Sequence, residues 1–105
     1  MSLYGIESED DCRKKIDELL QLTRTAQQQM NKEAISALKI RLKHYYDMGN
    51  SNKGEAQMSA VESAYFWHAV SEAYAWGAPN LNAPNTWREK LEEVEYKLKK
   101  WRPDA

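Results

Sequence analysis

Residues 65–76 read Tyr65-Phe-Trp-His-Ala-Val-Ser-Glu-Ala-Tyr-Ala-Trp76, twelve positions that hold five of the chain's eleven aromatic residues and neither Gly nor Pro. As a helix this stretch carries apolar groups around most of its circumference, so it needs cover from neighbouring helices, a second copy of the chain or a ligand. At about 100° per residue, Tyr65, Trp76, Ala69, Ala73, Phe66, Val70, Tyr74 and Trp67 spread over an arc of roughly 200°. The remaining side holds Ala64, Ser71 and Ala75 with His68 and Glu72, a small and polar surface that suits close approach by another helix. The arc is wider than one ordinary contact face. It predicts an interface made by Tyr65, Phe66, Trp67, Val70, Tyr74 and Trp76, since Trp and Tyr are enriched where proteins meet.

Local signals bound this helix on both sides. It is placed over 56–76, starting near Glu55 or near Ser59, where Ser59 and Glu62 have capping-box spacing, and Gly77 and Pro79 end it. Ala-Pro-Asn then occurs twice, at 78–80 and 83–85, predicting a stiff turn-rich connection. Thr86 and Glu89 form a second capping-box pattern, opening a helix over 86–101 whose stripe is Trp87, Leu91, Val94, Leu98 and Trp101. Pro103 stops it.

Upstream, Asp-Met-Gly-Asn-Ser-Asn-Lys-Gly-Glu at 47–55 carries no apolar period and predicts a mobile surface loop. Before that loop, Asn31 caps a helix over 31–46, with Ile35, Leu38, Leu42 and Tyr45 on one face. Ser8 caps the first helix, over 8–28, and Glu9, Asp10 and Asp11 place negative charge where the helix dipole favours it. Its buried stripe runs through Cys12, Ile16, Leu19, Leu20, Thr23 and Met30. Whether these two helices are separate or continuous is left open. Residues 1–7 fall outside every helix and are expected to be disordered. No segment alternates as a half-buried strand does, so the fold class is all-α, a small three- or four-helix bundle in a single domain over 1–105.

Composition fits that architecture with an unusual core. A chain of 105 residues buries about 65% of the surface that its unfolded form exposes. Leu, Ile, Val and Phe number only 17 of 105, few enough to raise the question of disorder, but the net charge is only -1 and four Trp with six Tyr supply the missing apolar area. Aromatic rings and Ala therefore build the core, with phenol and indole tips at its boundary. The only cysteine, Cys12, excludes an intramolecular disulfide and is read as a small core residue in a reducing, cytoplasmic setting. No apolar run reaches the length of a membrane span.

Chemistry-bearing motifs are sparse. His44 with Asp47 and His68 with Glu72 lie one helical turn apart, which offers two imidazoles and two carboxylates, but the order differs from the Glu-x-x-His of di-iron bundles and the flanking glutamates are missing. No Ser or Cys is placed as a nucleophile, and the Gly49–Gly54 spacing lacks the Lys and Ser or Thr of a phosphate loop. Lys39, Arg41 and Lys43, with Tyr45 and Tyr46 nearby, make a candidate nucleic-acid contact, although 15 basic residues against 16 acidic ones supply no general attraction. The leading expectation is a non-enzymatic interaction module without a cofactor, a homo-oligomer or a partner-docking protein using the helix over 56–76. Nucleic-acid binding through the basic face of 31–46 is the alternative, and a small-ligand or metal-binding bundle the third.

Overall fold

The computed structural model describes residues 4–51, 61–77 and 80–103 of the chain. Four helices form a bundle: α1 Glu9–Gln29, α2 Lys32–Ser51, α3 Val61–Trp76 and α4 Trp87–Lys100, the last preceded by a 3-10 turn at Pro84–Thr86. There is no strand among the described residues, so the fold is all-α. α1 packs against α2, α3 and α4, and α3 packs against α2 and α4. α2 and α3 run antiparallel, as do α1 and α4. Gly49 lies against Trp67 while Tyr46 stacks on Tyr74, and Asp17 of α1 holds Arg102 while Gln27 reaches Glu95.

The helix starts follow local chemistry at two of the signalled positions, Ser8 and Asn31. Ser8 Oγ accepts from the Asp11 N–H at 3.1 Å, and the Asp11 carboxylate accepts in return from the Glu7 N–H at 3.0 Å. One orphan donor of the first turn and the N–H of the residue before the cap are satisfied by this exchange. α1 and α2 are separate. Met30 adopts a left-handed conformation at φ 47° that ends α1, and Asn31 Oδ1 accepts from the Ala34 N–H at 2.8 Å to start α2.

Elsewhere tertiary packing corrects the local rules. α2 does not stop at 46: it continues through Gly49 to Ser51, so the first half of the expected 47–55 loop is helix. Gly49 is buried because Trp67 and the Tyr4 hydroxyl occupy the space that a Cβ would take, a close approach only glycine allows. The remainder of that loop, 52–55, residues 56–60 of the helix expected over 56–76, and the side chains of the Ser59–Glu62 box lie outside the described residues. Thr86 caps differently from expectation. Its hydroxyl donates to the Ala83 carbonyl at 2.8 Å and makes no capping bond to α4, because the 3-10 turn already leads the chain into the helix.

The expectation of disorder over 1–7 is corrected for residues 4–7, while residues 1–3 lie outside the described residues. Tyr4 and Ile6 are buried in the core, and the Tyr4 hydroxyl donates to the Tyr45 carbonyl at 3.3 Å. Tyr4, Tyr45 and Phe66 meet edge to face, with ring centroids 4.8 Å, 5.1 Å and 6.1 Å apart. A period-based reading misses this anchor because the segment turns at Tyr4 and Gly5 and has no helical spacing. Burial pushes the Tyr4 phenol well above its ordinary pKa, so it stays a neutral donor.

Candidate functional site

The aromatic helix divides into three sides rather than two. Phe66, Ala69, Val70 and Ala73 are fully buried and face the core, a stripe at steps of three, one and three. Phe66 and Val70 are therefore withdrawn from the expected interface, since a side chain with no accessible surface offers none to a partner. On the α2 side, Tyr46 lies between Trp67 and Tyr74, with centroid distances of 5.5 Å and 4.5 Å and near-parallel planes. Those two rings are half-buried and already stacked within the chain. The expected small side is divided: Ala75 is exposed and Ala64 and Ser71 are partly so, whereas His68 and Glu72 of the same side meet residues of the α4 end.

The α4 side is where aromatic surface stays open. Tyr65, His68, Glu72 and Trp76 line that edge of α3, and Glu93, Tyr96, Lys97 and Lys100 recur at steps of three, one and three on α4. Tyr65, Trp76 and Tyr96 are 40%, 62% and 64% exposed. Trp101, expected in the α4 core stripe, sits instead at the helix end, half-buried against His68 at a centroid distance of 4.7 Å and tilted towards Tyr65 at 6.1 Å. A cleft of about 330 Å³ opens between Trp76, Glu93, Tyr96 and Lys97, and another of about 260 Å³ between Tyr65, Lys100, Trp101, Arg102 and Pro103.

Glu72 joins the two clefts. It accepts from the Trp101 indole N–H at 2.8 Å and faces the ammonium groups of Lys97 and Lys100 at 3.6 Å and 3.5 Å. Burial alone would raise its pKa, but the indole bond and the two lysines outweigh burial and hold the carboxyl below its ordinary value. Two ammoniums share this one carboxylate, which leaves the lower half of the seam cationic. At the other end Glu93 Oε2 is shielded from solvent and accepts no hydrogen bond among the described residues; the Lys90 ammonium is 3.8 Å away. Lys97 and Lys100 also lie over the Tyr96 and Trp101 rings at 5.6 Å and 5.5 Å.

The other candidates are not brought together. Lys39 donates to Asn82 before α4, Arg41 pairs with Glu18 of α1 at 2.9 Å, and Lys43 pairs with Asp47 at 2.8 Å. Residues 39 and 41 differ by about 200° around α2, so the three cations do not form one patch for a phosphate backbone. His44 and His68 are exposed, their neighbouring carboxylates serve Lys43 and the Trp101 seam, and no cluster of three metal-ligating side chains occurs among the described residues. Cys12 is buried. A larger open groove, about 510 Å³ between α1 and α4, is lined by Asp17, Arg24, Lys99 and Arg102, with Arg102 paired to Asp17 at 2.7 Å and Lys99 to Glu95 at 3.1 Å.

Tyr96 was missed as a site residue, while Trp101 was expected in the α4 core stripe and Tyr46 beside the candidate nucleic-acid contact. The signal for Tyr96 was present, since it interrupts the polar face of α4 with a large ring; the roles of Tyr46 and Trp101 depend on which helices become neighbours. Compared with protein-family models, curated proteins and solved structures, the chain matches none.

Proposed function

We propose that this chain is a non-enzymatic helical module, cytoplasmic in setting, that docks a protein surface along the seam between α3 and α4. The observation that carries this reading is the run of open rings, Trp76 and Tyr96 at one cleft and Tyr65 and Trp101 at the other, on a chain with few aliphatic residues to spare. Rings of this kind supply large contact area at low entropic cost, and interface hot spots are rich in them. The lysines and glutamates between them give a polar rim. No described helix is long and apolar enough to cross a membrane.

The test compares two sets of surface substitutions. Trp76→Ala with Tyr96→Ala removes the seam rings, and Lys39→Ala with Arg41→Ala and Lys43→Ala removes the α2 cations. Circular dichroism should show both variants folded. A protein contact of the wild type, seen by cross-linking or affinity capture, should be lost in the first variant and kept in the second. Equal retention by both variants removes the seam from consideration.

A further inference from the structure

Resting on the docking role just described, we infer that the surface which occupies the α3–α4 seam is the same seam of a second copy, with the two α4 helices antiparallel across a two-fold axis. The charge pattern of α4 carries the inference. On the seam face its first half presents Glu93, with the Lys90 ammonium 3.8 Å away, and its second half presents Lys97 and Lys100, which share Glu72. A parallel alignment sets like charges on like. An antiparallel one sets Glu93 on the lysine end, which makes the seam face complementary to itself, as an isologous contact requires.

The register follows from the stripe Glu93, Tyr96, Lys97 and Lys100. A two-fold axis lying in the plane of the seam, crossing α4 between positions 96 and 97, brings Glu93 opposite the second copy's Lys100 and Tyr96 opposite its Lys97. Each of these contacts answers a feature of the single chain. The Glu93 carboxylate, whose side chain is 40% exposed and whose nearest ammonium within the chain, that of Lys90, is 3.8 Å away, gains an ammonium donor at its exposed oxygen. Lys97 and Lys100, which share Glu72, gain further acceptors of charge in the second copy's Glu93 carboxylate and Tyr96 ring. The same axis carries Trp76, beside Glu93, to the cleft bounded by Tyr65 and Trp101 of the second copy, beside Lys100. Both ends of the seam are filled symmetrically.

Sedimentation velocity across low to high micromolar concentration tests this pairing, with a charge swap as its specific arm. Wild type should show a reversible dimer that weakens as salt is raised. Glu93→Lys alone and Lys100→Glu alone should each weaken dimerisation about tenfold or more, because each sets two like-charged pairs across the axis. The double variant Glu93→Lys with Lys100→Glu should regain the dimer, since both partners of each cross-pair are then reversed. Trp76→Ala should weaken the dimer without affecting the charge swap. A wild-type monomer at high micromolar concentration, or a double variant weaker than either single one, overturns the pairing. Seam-dependent contact with a different protein by a monomeric chain would leave the docking role standing while removing the second copy. Loss of neither contact in the seam variants removes both.

Discussion

Gly49 lies in the middle of the last turns of α2, where the Trp67 ring and the Tyr4 hydroxyl close over its backbone. Gly49→Ala removes the usual helix penalty of glycine but drives a methyl into those groups; the second effect is larger, and a net loss of about 1–3 kcal/mol is expected in urea unfolding. Ile6 gives the complementary case. It is fully buried although it precedes every helix, so Ile6→Ala should cost about 2–5 kcal/mol in the same measurement, whereas a disordered terminus would show almost no effect. Buried Thr23 meets its hydrogen-bonding need within its own helix, donating to the Leu19 carbonyl at 2.8 Å, which is how a polar residue occupies the α1 core stripe.

At the scale of elements, the helices differ in how firmly their own residues define their ends. Ser8 caps α1 with its hydroxyl, whereas Thr86 turns its hydroxyl back to Ala83 and leaves the start of α4 to the preceding 3-10 turn. Ser8→Ala should therefore cost about 1 kcal/mol, and Thr86→Ala about half of that or less, when thermal midpoints are compared by circular dichroism. The fourth helix is the most legible: its spacing of Trp87, Leu91, Val94 and Leu98 is the buried stripe observed. The third is the least legible, because nearly every position is apolar or small and periodicity alone does not rank its sides. Which ring is covered was decided by Tyr46 on one flank and Trp101 on the other, residues distant in the chain.

For the whole molecule, three carboxylates tie the bundle together. The Arg102 guanidinium holds Asp17 below its ordinary pKa through bonds of 2.7 Å and 3.0 Å, Gln27 and Lys99 do the same for Glu95, and Glu72 is held down by Trp101 and two lysines against its burial. Folded values below the unfolded ones mean that this stabilisation is complete above about pH 4–5 and is lost as pH falls through the folded values. Thermal melts should thus be flat in this contribution from pH 7 to pH 5 and drop below pH 4, and Asp17→Asn should make that drop shallower. If the second-copy pairing holds, the midpoint at neutral pH should also rise with protein concentration, since only the folded chain associates. From the sequence by itself came the all-α class, the caps at Ser8 and Asn31, the stripe of α4 and the aromatic density of α3, because each is written in spacing within a single element. Only the tertiary structure decided that Tyr4 and Ile6 belong to the core, that Gly49 is helical, that the α2 cations diverge, and that the open rings lie towards α4. Those outcomes depend on which side chains from separate helices compete for the same volume, and close packing settles that competition between elements rather than along the chain.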